Sequence, residues 1–431
     1  MEWPNRRHVL ALAAAAPIAG LAGGCMPRRV SHVPAGLDAS ASFLDGLVAN
    51  GRLPGGGIRI SRNGEVLLEH FAGKADIGSG RDIAADTIYR AYSMTKPVTA
   101  AAIMLLVDED KVALEDPVAR HVPEFDGLSV MSMVDGEMLE SGPAGEMRIS
   151  HLLAHTSGLG NSWSPGPIAQ RYRQAGLIST AYPYDPAFAD GLPEVAKRLG
   201  EIPLQFEPGT QWFYSISTDI AGLVVERASG QSFGTFLKKR LFEPLEMPDT
   251  GFHVPTAKAD RLASVYTAKT DGLSLREAAQ ESPFLNQPYV ESGSAGLVTT
   301  LGDYGRFAAM LAGLGRTRGV RVLSEASART MLSPQVQSKV LGARFGQFMD
   351  FATGGSGRGM SMALGGAVLA DPSASDIPGV QGEYTWGGAA STTFFAVPEL
   401  GLEATLMTQL FPSGTIPLRD LLKQSVYEAL R

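Results

Sequence analysis

A serine and a lysine three positions apart, Ser93 and Lys96, carry the clearest chemical signal in the chain. At positions i and i+3 of a helix, the hydroxyl and the ammonium lie on one face, within reach of each other. Pro97 follows directly. Proline is tolerated only in the first turn of a helix, so the pair is predicted to lie at or just before a helix N-terminus, which favours developing negative charge. The pattern indicates acyl transfer through a covalent seryl intermediate.

Two later segments support this interpretation. Tyr214 lies just ahead of an amphipathic run over residues 220–226, which is predicted to be helical. Trp386, Gly387 and Gly388 open a β-rich run, where glycines allow a ligand to approach the strand backbone. A serine hydroxyl, a proton acceptor and a strand backbone that a ligand can approach together suit acyl transfer.

These segments resemble the three motifs of the serine β-lactamase and penicillin-binding-protein superfamily, Ser-x-x-Lys, Tyr-x-Asn and Lys-Thr-Gly. The closest resemblance is to the family VIII carboxylesterases of the class C-like branch, whose second motif reads Tyr-Ser-x and whose third reads Trp-Gly-Gly. It covers nearly everything after residue 38. It implies an α/β (α+β) fold with an antiparallel sheet flanked by helices, a mainly helical inserted domain, and a site in the cleft between them.

The resemblance also implies a role for each residue. Ser93 is the nucleophile, and Tyr214 is the general base and acid, assisted by Lys96. The backbone N–H groups of Ser93 and Ala389 form the oxyanion hole. Which of Tyr214 and Lys96 holds the proton at rest stays open, because adjacent titrating groups exchange protons as one coupled unit.

Substrate contacts are predicted for Ile216, Trp386, Gly387 and Gly388. Ile216 stands where the lactamase motif has asparagine and Trp386 where it has lysine, so two polar contacts to a β-lactam are replaced by apolar groups. Esters with short or apolar acyl groups suit such a site better than anionic lactams. An adaptable apolar rim could come from the Tyr/Pro-rich segment 172–193 and from the methionines at positions 131, 133, 138 and 147.

Three functional interpretations therefore remain. The leading one is a serine carboxylesterase. The second is a β-lactamase or D-amino-acid peptidase that acts on cell-wall-like amides. The third is a penicillin-binding or sensor module that is acylated at Ser93 but turns over negligibly; retention of Tyr214 favours turnover.

Two other patterns suggest chemistry but are better explained by structure. Residues 230–234 fit the Gly-x-Ser-x-Gly pattern of α/β-hydrolases, yet the preceding segment is helical, so Ser232 is predicted to cap a helix instead. His151 and His155 have the spacing of a zinc-binding helix but lack the accompanying glutamate, which favours a packed or hydrogen-bonded role. No metal and no cofactor are predicted.

Periodicity predicts strands at both ends of the chain and helices between them. Alternation around Asn63-Gly64 predicts a hairpin over residues 58–67. Helices are predicted over 100–107, 149–154, 220–229 and 416–430, and strands over 362–369 and 385–408. The predicted domains are an α/β domain formed by residues 38–95 and 290–431 and a mainly helical domain formed by residues 96–289.

The N-terminus has the pattern of a bacterial export signal over residues 1–25. Arg6-Arg7 precede an apolar stretch that is too short to span a bilayer, and residues 26–37 read as a linker. Cys25, the only cysteine, follows small residues as at a lipoprotein cleavage site, although an ordinary signal peptide cut nearby fits as well. The expected location is the periplasm, with membrane anchoring if Cys25 is lipidated.

Composition sets the remaining bounds. A chain of 431 residues with 44% hydrophobic content can form one large core or two subdomains. A net charge of −7 without a long basic run argues against nucleic-acid binding. The expected partner is a small-molecule ester, and the sequence does not indicate an oligomeric state.

Overall fold

The computed structural model describes residues 36–134, 137–178, 181–270, 272–353, 355 and 357–430. The predicted export signal, Cys25 and most of the predicted linker lie outside these residues. Among the described residues, no helix combines the length and apolarity needed to span a bilayer.

The α-helices of the described residues are α1 (Asp38–Ala49), α2 (Thr95–Asp108), α3 (Ile149–Leu153), α4 (Pro167–Gln174), α5 (Leu192–Gly200), α6 (Ser217–Ser229), α7 (Phe233–Leu237), α8 (Leu301–Ala312), α9 (Glu325–Leu332), α10 (Ser338–Thr353, interrupted at Gly342) and α11 (Leu418–Ala429). The strands are β1 (Gly55–Arg62), β2 (Glu65–Asp76), β3 (Arg81–Asp82), β4 (Ile88–Arg90), β5 (Ser129–Val134), β6 (Glu137–Pro143), β7 (Val265–Lys269), β8 (Gly272–Glu277), β9 (Val298–Thr300), β10 (Arg316–Thr317), β11 (Val320–Arg321), β12 (Met360–Met362), β13 (Ala367–Leu369), β14 (Tyr384–Gly387), β15 (Thr393–Val397), β16 (Leu402–Thr408) and β17 (Leu410–Phe411).

Eight strands form one antiparallel sheet in the order β12-β13-β14-β15-β16-β1-β2-β3. The N-terminal hairpin therefore joins the sheet by pairing β1 with β16, a strand from the C-terminal end of the chain. The predicted hairpin is confirmed as β1 and β2. Asn63 and Gly64 take φ values of 53° and 79°, the left-handed pair that a tight hairpin turn with the correct twist requires.

Both faces of the sheet are buried. Along β15, Phe394 and Ala396 belong to one apolar cluster, whereas Phe395 and Val397 belong to a second cluster on the opposite face. This alternation follows from the two-residue period of a strand. The second cluster lies against α1 and α11, and the first continues into α2, α6 and α8. The first cluster contains residues from both predicted domains, so the two share one core. The division into domains after residues 95 and 289 stays a prediction.

Helix α2 lies inside the core. All of its residues from Thr95 to Leu106 are buried, as expected for a helix that is apolar on every side. The predicted helices over 100–107 and 220–229 lie within α2 and α6, and the predicted ranges 149–154 and 416–430 extend one or two residues beyond the ends of α3 and α11.

The chain between residues 96 and 289 contains two hairpins that the sequence analysis did not predict, β5/β6 and β7/β8. Each pair of strands flanks an Asp-Gly dipeptide in the sequence, at positions 135–136 and 271–272. Asp-Gly is a strong hairpin signal, so both hairpins were within reach of sequence reasoning.

The end of β14 packs closely against the segment that follows β4. A Cβ atom at Gly388 would lie 2.4 Å from the Ala91 carbonyl oxygen and 2.3 Å from Thr392 Oγ1. Contacts this short do not occur, so only glycine allows this approach.

We expect Gly388→Ala to lower the free energy of unfolding by about 1 to 3 kcal/mol, because the added methyl must displace backbone. The control is Gly46→Ala inside α1, where a Cβ meets no atom within 4 Å. That change should stabilise the protein by about 0.5 to 1 kcal/mol. Chemical denaturation of both variants measures the difference. A Gly388→Ala protein as stable as the wild type would contradict the close approach.

Candidate active site

Ser93 lies in a 3-10 turn, residues 92–94, that leads directly into α2. The prediction that the pair lies at the N-terminus of a helix is thereby confirmed. Tyr92, immediately before Ser93, takes φ of 45°, a conformation that costs a bulky residue energy. Such positions occur where the surrounding structure holds a functional group in place.

Tyr214 lies three residues before α6 and reaches the turn that contains Ser93. Its hydroxyl oxygen lies 2.6 Å from Ser93 Oγ and is hydrogen-bonded to it. The Tyr214 ring stacks on Phe348 of α10 with a centroid distance of 4.5 Å, and the His155 ring lies 4.8 Å away. The phenol is therefore fixed by aromatic packing on more than one side.

Lys96 is buried, with 2% of its surface exposed. Its Nζ donates to the Ser294 carbonyl oxygen at 2.9 Å and lies 4.6 Å from the centroid of the Tyr214 ring. Within the part of the chain that the structure describes, no hydrogen bond joins Nζ to the hydroxyl of Ser93 or Tyr214. The ammonium thus lies between the Ser294 carbonyl and the Tyr214 ring.

A buried carboxylate that the sequence analysis missed supports this arrangement. Asp219 of α6 accepts hydrogen bonds from Ser292 Oγ and from the Ser294 N–H, both at 2.8 Å, and from the Tyr182 hydroxyl. Burial raises the pKa of Asp219, and these hydrogen bonds and the charge of Lys96 act against the rise. Asp219 thus fixes the loop whose carbonyl holds Lys96. Its position five residues after Tyr214, on a helix, was the only available sequence signal.

Both histidines singled out in the sequence have packing roles. Burial, with a smaller contribution from the charge of Lys96, holds the pKa of His155 well below its ordinary value, so the ring is neutral. His155 Nδ1 accepts from the Ser215 N–H, and His151 Nδ1 accepts from the Arg148 N–H. Among the described residues, no group of His, Cys, Asp or Glu could hold a metal ion.

Ser232 is an N-cap, as predicted. Its Oγ accepts from the Thr235 N–H at 3.3 Å at the start of α7. It is not among the residues that line the cavity containing Ser93.

The turn after β14 brings the backbone N–H of Ala389 to the cavity that Ser93 also lines. Ala389 and Ser93 line the same cavity, and neither N–H donates to an acceptor among the described residues. The Ala389 carbonyl accepts from the Ser413 N–H at 2.8 Å, and Gly388 N–H donates to the Thr392 carbonyl, so the turn is held on both sides. Two free N–H groups at one cavity are what an oxyanion hole needs.

The cavity above Ser93 has a volume of about 970 Å³ and is lined mainly by apolar and aromatic side chains. Trp386, Gly387 and Gly388 line it, as predicted from their motif. Phe348 stacks on both Tyr214 and Trp386, so one aromatic wall runs from the phenol to the third motif. Trp163 and Phe351 also line the cavity and are exposed at its mouth.

Ile216 does not line the cavity, contrary to the expectation from its motif position. It is the N-cap residue of α6 and its side chain is 4% exposed, packed in the main core. The chain turns into the helix here, which directs the side chain inward.

The predicted apolar rim is only partly present. Pro183 and Tyr184 from the segment 172–193 line the cavity. Met131 and Met147 do not, because they pack against the core, and the side chains at positions 133 and 138 lie outside the described structure. Phe284 and Phe348, which sequence reasoning missed, supply apolar surface in their place.

Comparison with known proteins agrees with this architecture. A family model described as Beta-lactamase matches residues 41–426. Esterase EstB of Burkholderia gladioli is 31% identical over 415 residues, which cover 92% of this chain and 96% of that protein. An uncharacterized protein of Mycobacterium tuberculosis is 32% identical over 390 residues, covering 88% and 92% of the two chains.

Among solved structures, EstCE1, a hydrolase with promiscuous acyltransferase activity, matches with a TM-score of 0.75 at 24% identity, covering 91% of this chain and 98% of its own. The β-lactamase-like fold class and the superfamily predicted from the three motifs are thereby confirmed. The family match spans most of the chain and includes every residue of the site described above, so this protein belongs to the Beta-lactamase family, as a serine hydrolase related to esterases.

Proposed function

We propose that this protein is a carboxylesterase that cleaves esters with short or apolar acyl groups through an acyl-enzyme at Ser93. The observation that carries the proposal is the 2.6 Å contact between the Tyr214 hydroxyl and Ser93 Oγ at an apolar cavity. Similarity to esterase EstB supports ester chemistry.

In the acylation step, Ser93 Oγ attacks the ester carbonyl carbon as its proton passes to the Tyr214 oxygen. Tyr214 must be deprotonated to accept it, and the Lys96 ammonium over the ring stabilises that negative charge. The carbonyl oxygen becomes an oxyanion and accepts hydrogen bonds from the N–H groups of Ser93 and Ala389.

The tetrahedral intermediate collapses when its bond to the alkoxy oxygen breaks. The departing alcohol takes the proton from Tyr214, and the acyl group stays on Ser93. Water then attacks the acyl carbon, gives its proton to Tyr214, and the Ser93 oxygen leaves with that proton. The carboxylic acid is released, Ser93 regains its hydroxyl proton, and Tyr214 returns to its deprotonated state.

The cavity wall favours neutral, apolar groups near the reacting carbon. Trp386 occupies the position of the lysine in the lactamase motif, and its indole packs against Phe348. A β-lactam carboxylate would meet an aromatic surface there instead of an ammonium.

We further propose that the protein is exported, with residues 1–25 as the signal. Arg6-Arg7 and the apolar stretch that follows them support export. Lipidation at Cys25 would anchor the protein to a membrane.

Ser93→Ala should abolish hydrolysis of p-nitrophenyl butyrate and leave the fold intact, because only the attacking oxygen is lost. Ser232→Ala is the matched control. It should retain activity and lose only about 1 kcal/mol of stability, the usual value of an N-cap. Steady-state kinetics and thermal denaturation of both variants measure this. The opposite pattern would assign the chemistry to the Gly-x-Ser-x-Gly segment.

Tyr214→Phe and Lys96→Met should each reduce kcat by about 10³-fold or more, since both groups serve one proton transfer. Phenylalanine keeps the stacking on Phe348, and methionine keeps most of the buried lysine volume. The double variant should be little worse than either single one. Multiplicative losses in a double-mutant cycle would show that the two residues act independently.

Short-chain esters should exceed penicillins and cephalosporins in kcat/KM by about 10- to 100-fold, because the charge-assisted contact missing at Trp386 is worth roughly 1.5 to 3 kcal/mol. Comparable efficiencies would favour the β-lactamase or peptidase interpretation. A burst of one product equivalent without steady turnover would instead favour the sensor interpretation.

A further inference from the structure

We propose that Arg276 binds a carboxylate of the substrate at a distance from the ester that Ser93 attacks. This inference rests on the proposed esterase function and adds a substrate class to it. The preferred substrates are esters that carry a second, anionic group, such as half-esters of dicarboxylic acids or acyl esters of hydroxy acids.

A β-bulge places Arg276 on the cavity wall. In the hairpin β7/β8, Val265 pairs with Glu277 and Tyr266 pairs with Leu275, which leaves Arg276 as the extra residue. In a regular strand, Arg276 and Glu277 would point to opposite faces. Both line the cavity here, and bulges beside active sites commonly redirect a side chain in this way.

The other charged groups on the wall are already paired. The Glu277 carboxylate lies 2.6 Å from the guanidinium of Arg90, which is fully buried. Arg419 also lines the cavity and lies 3.4 Å from Asp420. Arg276 is exposed and has no ion pair with any residue that the structure describes. The wall therefore carries one positive charge without a protein counter-charge.

The Arg276 guanidinium is held in a defined orientation. Its Cζ lies 3.9 Å from the centroid of the Phe411 ring, which also lines the cavity. Stacking on a ring leaves the N–H groups at the guanidinium edge available for a carboxylate, which they can bind in a bidentate manner.

The segment that contains Phe411, on which Arg276 stacks, is hydrogen-bonded to the turn that contains Ala389. Ser413, two residues after Phe411, donates its N–H to the Ala389 carbonyl at 2.8 Å. Arg276 and Ser93 line the same cavity, so one ester molecule can meet both.

The test uses two pairs of esters that differ only in charge. In the first pair the charge is on the acyl side: the p-nitrophenyl half-ester of adipic acid and its terminal amide. In the second it is on the alcohol side: the butyrate esters of para-hydroxybenzoate and para-hydroxybenzamide. For the wild type we expect kcat/KM to favour the carboxylate by about tenfold or more in at least one pair, as a guanidinium–carboxylate contact provides.

In Arg276→Gln the ratio of kcat/KM for the carboxylate ester to kcat/KM for its neutral partner should fall to about one. The value of kcat/KM for the neutral esters should stay within about twofold of the wild type, because the substitution removes a charge contact without disturbing the catalytic groups. The control is Arg344→Gln: Arg344 is also exposed and stacked on a ring, 5.2 Å from the Phe213 centroid, but it does not line the cavity. This variant should keep the wild-type preference. Salt at about 0.5 M should lower the carboxylate-to-neutral ratio of kcat/KM for the wild type and leave that ratio unchanged for Arg276→Gln.

Three results would overturn the proposal: a wild type without preference in either pair, an unchanged preference in Arg276→Gln, or an equal loss in Arg344→Gln. Failure of the esterase function itself looks different. In that case the wild type would not hydrolyse the neutral esters either.

Discussion

The contact between the Tyr214 hydroxyl and Ser93 Oγ depends on how two buried helices are packed. Ser93 lies in the turn that enters α2, and Tyr214 lies just before α6. The two helices pack against each other, and residues Thr95 to Leu106 of α2 and Ser217 to Val225 of α6 are all buried. The separation of the two oxygens is therefore set by core packing rather than by flexible loops. Small changes in helix packing would act directly on the geometry of proton transfer.

A buried ammonium is costly unless other groups compensate its charge. The Ser294 carbonyl and the Tyr214 ring are the nearest partners of Lys96. Asp219 provides a second layer, because it holds the backbone of Ser294 in place and its negative charge lies within reach of Lys96. The proposed base, its cation and the supporting carboxylate form one polar group inside an otherwise apolar core. Removing Asp219 would release the Ser294 backbone, whose carbonyl holds Lys96.

The sequence predicted the parts of the site that local patterns define. Spacing located Ser93, Lys96 and the start of α2, and the Asn-Gly dipeptide located the first hairpin. The Asp-Gly signals of β5/β6 and β7/β8 were equally local but were overlooked in a region expected to be helical. Other features could not be read from the sequence, because they depend on tertiary contacts.

Ile216 illustrates the limit, since its motif position predicted a substrate contact while the entry into α6 turns it into the core. Arg276, in contrast, was not predicted to contact substrate but lines the cavity. Its exposure to the cavity comes from the register of β7 against β8, which no pattern around residue 276 reveals. The turn that contains Ala389, the proposed oxyanion donor, likewise depends on the fit of Gly388 to Ala91, residues almost 300 positions apart.

The complete burial of α2 has a consequence for how activity is lost. Amide groups in such a helix exchange with solvent only when the core opens, so this helix belongs to the most protected part of the structure. Lys96 belongs to α2, and the turn that contains Ser93 leads directly into it. Trp163 and Phe351, by contrast, line the cavity and are exposed to solvent. Fluctuations at the mouth can admit or release substrate while the catalytic groups keep their arrangement. Heat inactivation should then coincide with cooperative unfolding of the whole domain.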